Sequence, residues 1–546
     1  MNRIKVILFA TVCLFLLPSI SEAKNRKIQI KDGWFYINGE KYLVKGVAYS
    51  PWRPGELPWS SRPNIEKMEK DFKLIKEAGF NTIRTWSPLT EEELVLANKY
   101  NLMVIQGLWI DPVADPLRSR RDPNAVKKIS EIAKKEAERF KDNDNILLFL
   151  AGNELPIEGI KPDGIKAEEN MLKEVKNAIK KTDPDKYVSF ANWFQTSFFD
   201  NSYWDAVCFN VYNYYPNIIS HSMGFGGYIA WLKEKHAKNK PLLITEYGLS
   251  VSKKSKGSLG YGGNTPDEQA KGCVSLWDEV IQSGACGGCI FEWNDEWWKN
   301  YESKGDEDSH DDQPEEWFGI LGIEGTNKNY TEIVRPLYSA IKEYNQAIIV
   351  NPKKHQYYRE KVPIEIYAEE NVKEIKAEID GEVVDLQKRS EHWWVGEWKN
   401  INPCISSRIF QIEAIGINNM ILCRKEDTFW SGLEKNKKEP MFKVSIKCKD
   451  KYHCSVDKKL ITTTFEVLDE NNKPVSNMPI KYSFYEVDYW QQTDGEKCTN
   501  KDGMISIDYC IKEPGYLIVS GGVDYKADGY VRRYGSIKIV EVVKKK

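Results

Sequence analysis

The sequence predicts an α/β front, folded as a parallel (β/α)8 barrel, and an all-β rear of two sandwiches. Three observations carry this. Between residues 27 and 345, eight short apolar runs alternate with longer stretches of helical periodicity. No phosphate-cradling glycine loop follows the first run, which favours a closed barrel over an open doubly wound sheet. Beyond Asn351 the periodicity switches to two, with turn signals about every 8–12 residues.

In chain order, KIQIKDGWFYING opens the fold as a hairpin, turning at Asp32-Gly33 and again at Asn38-Gly39. The barrel strands follow as LVKGVAYS (43–50), NTIRTW (81–86), LMVIQGLWI (102–110) and ILLFLAGNE (146–154). They continue as YVSFANWF (187–194), AVCFNVYN (206–213), PLLITEYG (241–248) and CGGCIFEWND (286–295). Such unbroken apolar runs suit strands buried on both faces. The clearest helix spans 124–143, with Val126, Ile129, Ala133, Ala137 and Phe140 on one stripe. A second covers 167–181, with Leu172, Val175 and Ile179 inward, and a last one covers about 332–345. TSFFDNSYWD, between the fifth and sixth strands, is too short for a full helix, so that unit should be degenerate.

The expected domains are 1–23, 24–348, 349–435 and 436–546. MNRIK, an apolar stretch and SEA form the basic, apolar and small-residue parts of a signal peptide cut near Ala23. The protein is therefore expected to be secreted or at the cell surface, with no membrane span in the mature chain. VPIEIYA and VKEIKAEIDGEVVDL alternate as sandwich strands, and the charged SGLEKNKKEP, closed by Pro440, reads as a linker. Ten of the eleven cysteines follow residue 23, an even number in an oxidising compartment, so disulfides are expected. Cys404 with Cys423 is the pairing expected for the middle domain; the remaining connectivity stays open, and Cys286-x-x-Cys289 reads as buried thiols or one disulfide.

Composition excludes several classes. Lys and Arg number 78 against 80 acidic residues, so no basic footprint for nucleic acid exists. There are six His and no His-x-x-x-His, no Gly-x-Ser-x-Gly and no complete Gly-x-Gly-x-x-Gly, so metal, serine and dinucleotide chemistry lack a motif. No cofactor and no metal are expected. Aromatics make up 12% of the chain, including 18 Trp, which suits either sugar faces or ordinary packing.

Two runs end on carboxylates: Glu154 closes ILLFLAGNE and Glu246 closes PLLITE. Placed on a barrel, both fall at the C-terminal mouth, where barrel enzymes build their sites. A pair of facing carboxylates is what glycoside hydrolysis requires. Phe149, Leu150 and Ala151 precede Glu154 as an apolar stretch that would keep it protonated. Glu292, Asp295, Glu296 and Asp111 also reach the mouth and are expected to bind substrate hydroxyls rather than cleave bonds. Residues 299–317 form an acidic loop bearing His310, read as solvated, with a subsite lining or a calcium site as the alternatives.

These residues resemble the retaining glycoside hydrolases of clan A, closest to the family 2 and family 5 TIM barrels, over most of residues 30–345. The resemblance implies that Glu154 is the acid/base, Glu246 the nucleophile, and Asn153 the residue holding the sugar 2-hydroxyl. It implies further that Arg84 pairs with the nucleophile, that Tyr212 orients it, and that Trp293 floors the sugar. Tyr214 and Tyr215 remain alternatives to Tyr212, and Trp297 and Trp298 to Trp293. Two departures stand out: the sandwiches trail the barrel instead of preceding it, and Arg84-Thr85-Trp86-Ser87-Pro88 replaces the family 2 pattern Arg-x-x-His-Tyr-Pro. GVAYSPWRPG also resembles the fungal-wall β-1,3-glucan transferases. The stretch TTFEVLDENNKPVSNMPIKYSF, with TNKDGMISIDY after it, resembles the immunoglobulin-like repeats of bacterial surface proteins.

The expected function is retaining hydrolysis of a polysaccharide or oligosaccharide by double displacement. Transglycosylation with the same residues and a non-catalytic carbohydrate-binding or adhesion role are the alternatives. Every chemical candidate precedes Asn351, so the barrel is expected to fold and act without its tail. Trp393, Trp394 and Trp398 offer the tail a means of binding sugar unless they are buried.

Overall fold

The computed structural model describes residues 26–544 except 60, 62, 109–120, 157–159, 161–162, 214–218, 254–256, 258–259, 300–312, 355, 401–405, 433–441, 455–459, 488–490 and 528–529, and except the side chains at 219–220, 525–527 and 530–532. The signal segment, Asp111, His310, Tyr214, Tyr215, Cys404 and most of the charged linker therefore lie outside the described residues.

Eight strands close a parallel barrel: β1 (Val44–Ala48), β2 (Thr82–Thr85), β3 (Met103–Gly107), β4 (Ile146–Asn153), β5 (Val188–Asn192), β6 (Val207–Asn210), β7 (Leu242–Tyr247) and β8 (Gly287–Ile290). The seam joins β8 to β1, pairing Gly287 with Val44 and Ile290 with Val47. Gly287 has φ +144°, and a Cβ there would strike the Val44 carbonyl, so this seam needs glycine. The leading strands Ile28–Lys31, Trp34–Ile37 and Glu40–Tyr42 form an antiparallel sheet. Phe35 from that sheet is buried with Val44, Met103 and Leu147, all near strand starts, and so plugs the end away from the mouth.

Helices begin where the sequence offers caps. The Asn64 side chain accepts the Lys67 N–H at the start of α1 (Ile65–Glu77). Thr90 and Glu93 form a capping box on α2 (Glu91–Lys99), and Asp122 with Pro123 opens α3 (Pro123–Arg139). The inward stripe of α3 is Ala125, Ile129, Ala133 and Ala137, with Val126 only half-buried and Phe140 just past the helix end. α4 (Ile165–Thr182) buries Leu172, Val175 and Ile179 as expected. Between β5 and β6 the chain makes only the 3-10 turn Phe194–Thr196. α5 (Gly224–His236) and α6 (Pro266–Gln282) complete the next two units. The last helix, α7 (Pro336–Tyr344), starts later than the periodicity suggests, because Leu321–Thr326 and Asn329–Val334 form a hairpin. Tyr330, Thr331, Ile333 and Val334 favour a strand, and Pro336 fits the first helical turn.

Two all-β sandwiches follow. In the first, a sheet ordered Ala347–Asn351, Lys361–Ala368, Trp393–Lys399 and Gln387–Lys388 faces a five-stranded sheet centred on Ser406–Gly416. The strand Ala347–Asn351 pairs with Lys361–Ala368, so the domain begins ahead of the expected boundary at 348/349. In the second, Lys443–Lys447, Leu460–Leu468 and Met504–Cys510 face a five-stranded sheet containing Gly515–Ala527 and Tyr530–Lys544.

Neither sandwich is a free appendage. The Trp393 indole N–H donates to the Lys41 carbonyl at 2.7 Å, and its ring lies edge-on to Trp34. Trp393, Trp394 and Trp398 are all buried, so their rings are spent on packing. Tyr485, Val487 and Ile518 of the second sandwich share one core with the barrel. Phe194 meets Tyr485 at 5.2 Å between ring centres, Phe198 stacks on Tyr516, and Gly522 lies against the Ser222 carbonyl with no room for a Cβ.

Nine cysteines are free among the described residues, and Cys286 and Cys289 are buried at the barrel base. Burial pushes the Cys286 thiol up to about 12, which keeps it a neutral core group.

Candidate active site

The site is assembled from the C-terminal ends of β2, β4, β6 and β7. Arg84, inside β2, is fully buried. Its Nη1 lies 2.9 Å from Oε1 of Glu246 on β7, and its Nη2 donates to Oδ1 of Asn153 at 2.6 Å. The Trp86 ring covers the guanidinium at 4.1 Å, which keeps water from this charge. Tyr212, just past β6, donates its hydroxyl to Oε2 of Glu246 at 2.9 Å. Each oxygen of the 5%-exposed Glu246 carboxylate thus has its own partner.

Glu154 follows the last residue of β4 and takes φ +39°, a region that non-glycine residues enter at a cost of about 1–3 kcal/mol. Its N–H donates to the Ala191 carbonyl at 2.9 Å, which fixes the bend. Asn210, at the end of β6, donates to Oε1 of Glu154 at 2.8 Å and to Oδ1 of Asn153 at 3.1 Å. Thr245 in turn donates to the Asn210 carbonyl oxygen at 2.7 Å, which sets the amide's orientation. Burial first, and then the charge of Glu246, raise the Glu154 carboxyl to about 8. Of two neighbouring glutamates, one carries a cation and the other retains its proton.

Glu154, Glu246, Arg84, Asn153 and Tyr212 therefore form one bonded cluster. Trp293 is placed differently. It is 1% exposed, belongs to the barrel core and packs edge-on to Tyr338 of α7. The strand-eight ring in contact with Tyr212 and Trp86 is Phe291, at 6.2 and 5.7 Å.

The rival carboxylates divide. Asp295 is fully buried, bound by Arg335 through both oxygens at 2.7 and 2.6 Å and by the N–H groups of Gly319 and Ile323. It holds the loop after β8 and has no surface for substrate, contrary to the expectation from sequence. Glu296 pairs with Lys299 at 2.6 Å and accepts the Trp298 indole N–H at 3.2 Å. Glu292 is fully buried, and burial followed by the Glu296 charge pushes its carboxyl well up. Among the described residues, the acidic and histidine side chains close enough to share a cation are Glu370, Glu391 and His392, on the middle sandwich and not at the mouth.

Sequence reasoning missed Asn210, Trp86, Phe291 and Lys299. Asn210 was within reach, since it ends the VCFN run just as Glu246 ends its own. Lys299 was not, because its partners converge from separate segments after β8.

Comparison with known proteins bears on the barrel as a whole. Residues 28–277 match the model of the TIM barrel domain of glycosyl hydrolases family 2. The barrel thus resembles the TIM barrel domain of that family. No curated protein matches the sequence. Among solved structures, a β-glucuronidase of Parabacteroides merdae is 13% identical with a TM-score of 0.44, aligning 95% of this chain with 64% of its own. A Bacteroides uniformis β-glucuronidase is 13% identical with a TM-score of 0.47, over 95% of this chain and 68% of its own. A family 2 β-galacturonidase of Eisenbergiella tayi, bound to galacturonate, is 19% identical with a TM-score of 0.45, over 58% and 53%. The chain spans about two thirds or less of these proteins, and none of the likenesses bears on its substrate.

Proposed function

We propose that the barrel hydrolyses O-glycosidic bonds of an oligosaccharide or polysaccharide by double displacement, with retention at the anomeric carbon. A Glu246 oxygen attacks that carbon as the bond to the leaving oxygen breaks, and the Glu154 proton passes to the leaving oxygen. Esterification removes the negative charge of Glu246, which is one cause of the raised Glu154 pKa. The Glu154 pKa then falls, so the carboxylate left by proton transfer stays ionised and can act as the base. It takes a proton from water, the water oxygen attacks the anomeric carbon, and Glu246 is released. Arg84 and Tyr212 position the nucleophile, and Asn153 is placed to meet a sugar hydroxyl beside the acid.

The observation that carries this reading is the opposed setting of the two glutamates: ion-paired Glu246 beside a Glu154 that burial and a like charge keep protonated. A retained arginine–glutamate pair of this kind disfavours an inert scaffold. The test is a kinetic comparison of Glu246→Gln and Glu154→Ala on aryl β-glycosides. Glu246→Gln should abolish turnover on every substrate. Glu154→Ala should lose about 10²–10⁴-fold on poor leaving groups and far less on dinitrophenolates. Equal losses on the activated substrates would refute the assignment of roles.

The same reading takes the protein as exported, with association at the cell surface, on the basic–apolar–small pattern of residues 1–23. No helix among the described residues is long and apolar enough to cross a membrane. The disulfides expected from sequence are not formed among the described residues, where the sandwich cysteines Cys423, Cys448, Cys454, Cys498 and Cys510 are free like the four of the barrel.

A further inference from the structure

Past Arg84, from Thr85 and Trp86 outward, lies a cleft of about 370 Å³, built from the ends of β1 and β2 and the segment after β8. That is within the range of about 300–1,000 Å³ usual for small-molecule sites. Its walls include Trp52, Trp86 and Trp298, with Glu296 and Lys299 among its polar groups. Trp86 belongs to both places: it covers Arg84, which pairs with Glu246, and it lines the cleft. Trp86 and Trp298 are only half-buried, and Trp298 is steadied by its bond to Glu296 and by the edge of Trp59. Flat, partly open indoles with fixed polar neighbours suit a ligand that has an apolar face and a hydroxyl rim.

Position then gives the cleft a side. In the closed strand order, β8, β1 and β2 are adjacent, and β4 lies opposite β8. The proton donor Glu154 stands at the end of β4, so the leaving group departs on that side. A sugar held over β8, β1 and β2 therefore belongs to the part of the chain that stays on the enzyme. Charge narrows the class. Among the described lining residues, Lys299 is the cation beside Glu93 and Glu296, and it is already paired with Glu296 at 2.6 Å and faces Glu315 at 3.8 Å. The surplus is negative, which suits a neutral sugar and repels a uronate.

We propose that this cleft is a second subsite, on the glycone side, for a neutral sugar of a β-linked glycan. The barrel then cuts one or more residues inward from the non-reducing end and releases oligosaccharide, rather than removing single terminal sugars. This rests on the retaining-glycosidase reading.

The test compares kcat/KM of the full chain on matched aryl β-monosaccharides and aryl β-disaccharides of glucose, mannose and xylose. In the series the enzyme accepts, the disaccharide should exceed the monosaccharide by at least about tenfold, the scale of one well-stacked ring. Trp298→Ala, checked for an unchanged melting temperature, should shrink that ratio by about tenfold. A second arm measures binding of the same glycans as free oligosaccharides to Glu246→Gln, where trisaccharides should bind more tightly than monosaccharides. Active enzyme with equal or lower activity on every disaccharide, or a Trp298→Ala ratio equal to wild type, would overturn the subsite and leave the glycosidase reading standing. Absence of turnover on any aryl β-glycoside would overturn both.

Discussion

At the scale of residues, the chemistry depends on how two like groups are kept in unlike states. Arg84 and Tyr212 hold Glu246 through separate oxygens. Tyr212→Phe removes a hydrogen bond to a charged group, worth about 1.5–3 kcal/mol, and should slow turnover by roughly ten- to hundredfold in steady-state kinetics. Glu154, raised to about 8, predicts an alkaline limb in kcat/KM with its midpoint near pH 8. The Asn210 amide lowers that pKa by donating to the carboxylate, so Asn210→Ala should move the limb to higher pH. A limb moving to lower pH in that variant would exclude Glu154 as the titrating acid. The same raised pKa has a consequence for stability. The folded state keeps a proton that the unfolded state gives up, so the contribution is full below the ordinary carboxylate range and is lost as pH rises toward 8. Glu154→Gln should therefore melt above wild type at alkaline pH while losing activity.

At the scale of elements, the strands were legible because parallel barrel strands are buried on both faces and read as continuous apolar runs. Their last residues were legible for the same reason, since a glutamate that ends such a run has few places to lie except the mouth. Trp293 illustrates the limit. Phe291 and Trp293, two apart, would share a face if the strand ran on, but β8 ends at Ile290, so the string FEWND does not tell which aromatic faces the mouth. The structure puts Phe291 against Tyr212 and sends Trp293 into the core against Tyr338. Asp295 illustrates another. Its partner Arg335 lies 40 residues on, just past the Leu321–Val334 hairpin. Asp295→Ala leaves a buried arginine uncompensated and should cost about 3–5 kcal/mol in denaturant unfolding. A change confined to KM, with stability intact, would instead return Asp295 to the substrate.

At the scale of the whole molecule, the tail is part of the barrel's packing. Alternation in residues 361–546 announced the sandwiches, but period-two patterning carries no information about which outer residues another domain covers. Here Tyr485, Val487, Tyr516 and Ile518 cover Phe194 and Phe198. A truncation at residue 348 cuts the strand Ala347–Asn351 and strips these rings. The truncated protein should be poorly soluble or melt well below the full chain, contrary to the sequence-based expectation of an independent barrel. Full activity on a small aryl glycoside in a soluble 24–348 fragment would make the docking dispensable.

The central claim, that Glu246 forms a covalent bond with the sugar, has a direct measurement. The protein is incubated with dinitrophenyl 2-deoxy-2-fluoro-β-glycosides of the sugar series it accepts, digested, and mapped by mass spectrometry. The account predicts one fluoroglycosyl adduct, on the Glu246 of PLLITEYG, formed as activity is lost. An adduct on another carboxylate, or turnover that yields the inverted sugar with no adduct, would contradict it.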